Sequence, residues 1–289
     1  MRQRLRAAVV IGRRQLMEAL LDPGPWIALV AGLLLGHLVV ASFLAAVDSS
    51  GFEPTLSPFL GLVARAASSA FGEAFAAVLF AEGPLLLAVL AATAPVLGWL
   101  AISSVFRFGL EKADGAMELL AVGPVDGAAI CLASVLRDAV LAAGAIVAVF
   151  LFLLVEAVVG NLALGPTFLV ALPALLLAAV AVSTLGILCS TLTGNAASGL
   201  GLFGGIAMVF LLDLAGSAVV STSALRSAAS VVSLVVQWFS PFAWLARALG
   251  AISGAANSPL LPALVLQVAL AGALLGVSFA VIGRRGVRG

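Results

Sequence analysis

The sequence predicts an all-α polytopic integral membrane protein, and three observations lead there. The chain is 63% hydrophobic and 9% charged, against about 45–50% apolar and about 25% charged in an ordinary soluble domain. Its mean hydropathy is +1.26. The apolar residues gather into runs of spanning length, without the period-2 alternation of barrel strands. A hydrocarbon layer about 30 Å thick needs roughly 20 residues of helix to cross it. Inside that layer every backbone group must find its partner within the protein, which a helix achieves by itself.

The first element is an N-terminal interfacial helix within residues 1–25. In "RQRLRAAVVIGRRQLMEALLD", Leu5, Val9, Gly12, Leu16 and Leu20 recur at helical spacing, while Arg14 and Glu18 fall on the opposite side. Such a stripe, with Arg13 and Arg14 beside it, suits a helix lying in the membrane surface. Pro23 and Pro25 cannot continue a helix interior, so the chain turns there. The remaining chain, 26–289, reads as a transmembrane domain with six spans at 26–47, 84–106, 139–159, 167–189, 199–220 and 260–282. The outer segments are 48–83 and 221–259. Residues 231–252 compete as a span, but Pro241, Trp238, Trp244 and Arg247 favour a re-entrant or headgroup-level pair of helices.

Between spans two and three lies the loop 107–137. It contains "EKADGAMELLAVGPVD", five charges in sixteen positions of a chain otherwise almost free of them. Asp114 is placed to cap, Leu119 and Leu120 supply an apolar face to a short helix, and Pro124 breaks it before a second helix enters the membrane. With six spans, both termini share a side with this loop. Arg2, Arg4, Arg6, Arg13, Arg14, Arg107, Lys112, Arg137, Arg284, Arg285 and Arg288, eleven of the 14 basic residues, then lie on that side. The positive-inside rule makes it cytoplasmic.

Several chemistries are excluded by counting. A P-loop needs Gly-x-x-x-x-Gly-Lys-Ser/Thr, and the single lysine, Lys112, follows Glu111 and precedes Ala113. The single histidine, His37, lies in the first span, which rules out a His-Glu-x-x-His zinc site. It is expected to be a polar residue with a local partner. No Gly-x-Ser-x-Gly elbow occurs. Cys131 and Cys189 are expected as reduced thiols at loop or helix-end positions. The N-terminus lacks a signal-peptide pattern, because Arg13 and Arg14 interrupt its apolar run. A net charge of +1 implies nothing about nucleic acid. No metal site, cofactor or catalytic residue is expected in this chain. Ionisable residues inside the bilayer are costly, and two stand out as candidates for a transport pathway or dimer seam: Asp213 in "MVFLLDLAG" and Glu156 in "FLLVEAVVG".

The charged loop resembles that of the ABC-2 type permeases, the membrane subunits of ATP-binding-cassette exporters. In that family the loop between spans two and three carries acidic residues, a Gly-Thr, a glutamate, a Leu-Leu pair and a proline. This chain matches with Glu111, Gly115, Glu118, Leu119, Leu120, Pro124 and Val125, and departs at Ala116, Asp126, Gly127, Ala133 and Ser134. The opening "RRQLMEALLDPGPW", with Gln15 where a glutamate is common, and "FSPFAWLARAL" before the last span are similar to further family segments. The resemblance implies a permease subunit of an exporter, paired with a second permease chain and two copies of a separate ABC ATPase that binds ATP and Mg. It places the complex in the cytoplasmic membrane of a bacterium or archaeon, in contact with lipid and not nucleic acid. By the same resemblance Glu111, Asp114, Gly115, Met117, Glu118, Leu119, Leu120 and Pro124 would form the ATPase contact. The alternatives are a membrane anchoring protein that recruits a partner through the same loop, and an unrelated secondary transporter; the latter should show matching ion-coupling acids in two halves, and Asp213 has no such counterpart.

The topology is testable by cysteine labelling. Single cysteines at Ser69 and Ser258, in a chain lacking Cys131 and Cys189, should react with an impermeant reagent in intact cells; protection of both overturns the six-span arrangement.

Overall fold

The computed structural model describes residues 2–48, 84–113, 127–216, 236, 238–252 and 260–285. Among these residues there is no strand, and eight helices carry the fold: α1 (Arg2–Leu21), α2 (Pro23–Asp48), α3 (Pro84–Ala113), α4 (Gly127–Val159), α5 (Pro166–Leu192), α6 (Ala196–Gly216), α7 (Pro241–Ile252) and α8 (Leu260–Arg285). Five of them, α2, α3, α4, α5 and α8, are long and apolar enough to cross a membrane. In α6 the apolar stretch with described side chains, Ala196–Phe210, is shorter. The twelve residues of α7 fall short of the roughly 20 that a crossing requires. The outer segment 49–83 lies outside the described residues.

Two of the helices continue past the expected spans. Helix α3 has 30 residues and α4 has 33, which at about 1.5 Å per residue are some 45 and 50 Å long. Both outrun a hydrocarbon layer of about 30 Å, so each contains its expected span, 84–106 or 139–159, and extends beyond it. Of the expected loop 107–137, residues 107–113 and 127–137 are helical. Apolar counting ended these helices at Arg107 and Arg137, because it registers charge and not backbone hydrogen bonding.

The helix ends follow local chemistry. Asp22 caps α2 by accepting the Gly24 N–H at 3.2 Å, with Pro23 in the first helical position, where its missing N–H costs nothing. The expected turn thus falls at Asp22, and the prolines open α2. Trp26 Nε1 donates to the Leu20 carbonyl at 2.8 Å and fixes this corner. Helix α4 ends in a Schellman motif: Leu162 N–H reaches the Ala157 carbonyl at 2.9 Å, and Asn161 N–H reaches that of Val158. Asn161 takes the left-handed φ of 50° that the motif requires. Asn195 caps α6 through Ser198 N–H at 2.7 Å.

Helix α5 is the axis of the bundle and is wholly buried from Ala181 to Ile187. Leu175 and Phe168 of α5, Leu153 of α4, Val39 of α2, Val89 of α3 and Leu249 of α7 share the largest core cluster. Close approach between helices depends on small residues. A Cβ at Gly32 would collide with the Ala92 carbonyl oxygen of α3, and one at Gly186 would collide with Ser104 Oγ.

The expected stripe of α1 is split by the packing. Leu5, Val9 and Leu20 stay exposed with Val10, Met17 and Leu21, Leu16 is half-buried, and Gly12 is buried on the adjoining face with Ala8, Gln15 and Ala19. Ala8 meets Ala129 and Ala133 of α4, and a Cβ on Gly12 would stand 3.1 Å from the Ala133 carbonyl oxygen. Small side chains let α1 lie against α4, and its large apolar ones are left for lipid.

Gly32→Ala should destabilise the protein in detergent by roughly 1–3 kcal/mol, as overpacking does. Gly98→Ala, where nothing lies within 4 Å of the added Cβ, should be neutral or stabilising by up to about 1 kcal/mol. Thermal unfolding followed by size-exclusion chromatography reads both, and equal midpoints would contradict the α2–α3 contact.

Candidate functional site

The ends of α3 and α4 that flank residues 114–126 enter a polar seam where α1, α3, α4 and α5 meet. From α1, Gln15 is buried and its Nε2 donates to both carboxylate oxygens of Glu111, at 3.0 and 3.3 Å. Glu111 lies in the field of Arg137 and Arg107. One turn earlier on α3, Arg107 donates to Asp22 Oδ2 at the α1–α2 corner. From α4, Arg137 binds its neighbour Asp138 through Nε at 2.8 Å and Nη2 at 2.7 Å. From α5, the Ser183 hydroxyl donates to the other oxygen of Asp138.

The seam is dry where it matters. The Arg137 and Asp138 side chains are 3% and 1% exposed. An isolated charge there would cost several kcal/mol in desolvation, so the two persist only together, with Ser183 satisfying the remaining oxygen. Asp22 is more open. The Gly24 N–H does most to hold its carboxyl below the usual range; burial opposes it, and the hydrogen bond and charge of Arg107 add to the lowering. That contribution to stability is therefore complete above the ordinary carboxylate pKa and is lost as pH falls through the depressed one.

The expected site residues are distributed unevenly over the structure. Glu111 joins the seam. Asp114, Gly115, Met117, Glu118, Leu119, Leu120 and Pro124 lie outside the described residues. Arg14 pairs with Glu18 at 2.9 Å on the exposed side of α1, a contact worth little in water, and Arg13 is exposed. Glu156 shares a hydrogen bond with His37 Nδ1 at 3.0 Å, joining α4 to α2 on an outward face. His37 thus has the local partner expected of it, yet half of its side chain is exposed. Asp213 belongs to α6, and its side chain lies outside the described ones. Cys131 and Cys189 are buried free thiols near the start of α4 and the end of α5, the helix-end positions expected of them. No group of three metal-ligating side chains occurs among the described residues.

Asp138 and Ser183 escaped the sequence reading, which noted Gln15 only for the resemblance and Arg137 only for its charge. Adjacent Arg137-Asp138 at the start of an apolar run was a legible signal, since opposite charges side by side at a membrane boundary neutralise one another. Nothing in the sequence pairs Gln15 with a residue 96 positions away. Neither a protein-family model nor a curated protein matches this chain, so its own residues carry the functional reading.

Arg137→Leu should destabilise the fold by about 3–5 kcal/mol, because it strands the Asp138 carboxylate without its partner. The double variant Arg137→Leu/Asp138→Leu should recover most of that loss. Thermal unfolding in detergent measures both, and equal losses would mean the pair is uncoupled.

Proposed function

We propose that this chain is the membrane subunit of an ABC-2 type exporter. In this reading six spans, with α6 as the fifth, place both termini in the cytoplasm. A separate ATPase subunit docks on residues 111–125, and two permease chains and two ATPase subunits form the working unit. ATP and Mg then act in the partner, and this chain converts the partner's closure into helix movement.

The observation that supports this reading most is the polar seam. Residues 114–126 connect a helix tied to α1 and the α1–α2 corner, through Gln15–Glu111 and Arg107–Asp22, to a helix tied to α5 through Asp138–Ser183. A force applied to that short connection reaches four helices through charged, buried or half-buried contacts rather than through a slack loop. The resemblance of the segment to the permease loop says what would apply the force. Interface energy concentrates in a few central residues, so Leu119, Leu120 and Glu118 are assigned the docking role and Lys112 is not.

Leu119→Asp should cost several kcal/mol of docking free energy, enough to dissociate a micromolar contact, while Lys112→Ala should be nearly silent. Co-purification of a P-loop ATPase from detergent extracts, with the ATPase activity of the recovered complex, measures this. A Leu119→Asp chain that keeps its ATPase and couples hydrolysis to transport would exclude the segment as the coupling element.

A further inference from the structure

A cleft of about 390 Å³ opens between α1, α2, α3 and α4. Leu16 and Leu20 line it from α1, Trp26 from α2, Trp99 from α3, and Gly144 and Ala148 from α4. None of the residues lining it carries a charge, so water would find too few partners there. Its volume is in the range of ligand sites in general. Along α4 it runs from Val140 to Ala148, about 12 Å of helix, from the level of α1 towards the middle of the bilayer. Of its α1 edge, Leu20 is exposed on the outside of the bundle.

Charge says which lipid. At about 100° per residue, Arg13 lies some 20° around α1 from Leu20 and one turn before Leu16, and Arg6 continues the same strip. Arg14 is engaged by Glu18, Arg107 by Asp22 and Arg137 by Asp138. Arg13 is exposed and has no acidic partner among the described residues. A long basic side chain beside an apolar cleft at headgroup depth, with Trp26 half-exposed at the mouth, matches an amphipathic anion.

We propose that this cleft binds one acyl chain of an anionic phospholipid from the leaflet on the N-terminal side, with the headgroup held by Arg13. The lipid fills the gap that the large residues of α1 leave against the bundle, so α1 is seated partly by protein contacts at Ala8 and Gly12 and partly by lipid. The site requires only that the chain be embedded in a bilayer, and stands apart from any transport activity.

The test uses the full chain with Trp238 and Trp244 changed to Phe, leaving Trp26 and Trp99, both of which line the cleft, as the reporters. It is reconstituted with increasing mole fractions of phosphatidylglycerol or phosphatidylcholine carrying brominated acyl chains, which quench tryptophan at contact range. Half-quenching should need a roughly fivefold smaller fraction of the anionic lipid, the advantage expected of one basic residue at a membrane surface. Arg13→Gln should abolish the difference and Arg13→Lys should keep it. Gly144→Leu should weaken quenching by both lipids, because a Cβ there meets nothing within 4 Å and the longer side chain fills the cleft. Equal quenching by the two lipids in the chain that retains Arg13 overturns the headgroup assignment, and this comparison needs no variant that might misfold at Gly144. Undiminished quenching in folded Gly144→Leu overturns the acyl-chain site.

Discussion

Helices in a bilayer gain little by burying apolar surface against each other, since lipid tails are as apolar as leucine, and their association depends on how closely the backbones can approach. In this chain the approach is set by glycine, alanine and serine. Gly32 lies against the Ala92 carbonyl, Gly186 against Ser104, Gly109 against Ala196 and Gly12 against the Ala133 carbonyl. Each contact locks a different pair: α2 with α3, α5 with α3, α3 with α6, and α1 with α4. These four contacts set the spacing of α1, α2, α3 and α6 against their neighbours, and larger apolar side chains fill the core between α5, α7 and α8. Without the first of them α2 would stand off from α3, and the Asp22–Arg107 contact at the same end of those helices would lose its geometry.

That framework gives the polar seam its character. Charged side chains at a membrane boundary can hydrate at little cost, and Arg14 and Glu18 stay exposed. Arg137 and Asp138 do not, because α1 lies over the start of α4 and α5 closes the other side. Burial turns an adjacent pair of opposite charges into a fixed structural node, expensive to break at one partner and cheaper to replace as a unit. The seam therefore ties the two helices leading to residues 114–126 to the rest of the bundle, which is the mechanical property a coupling element requires.

Helix α1 has three different surfaces. Its small-residue strip packs on α4, Leu16 and Leu20 border the cleft, and Arg14 and Glu18 pair on the exposed side. A binary apolar-polar reading of the sequence cannot separate the first two, because alanine, glycine and leucine all count as apolar. The single glutamine in the packed strip breaks the binary pattern and is the residue that reaches Glu111.

What the sequence determined by itself is the solvent: the number and length of apolar runs, the helical form imposed by unsatisfied backbone in hydrocarbon, and the clustering of charge around 111–126. These depend on composition within a window of about 20 residues, which a linear reading samples fully. The partners of Gln15, Asp138 and His37, the continuation of α3 and α4 beyond their apolar cores, and the small-residue face of α1 were decided only in the tertiary structure. The three side-chain partnerships depend on distances between residues 45 to 119 positions apart and the α1 face on contacts such as Gly12 with Ala133, and such distances exist only after the helices have packed at the positions where backbone can touch backbone.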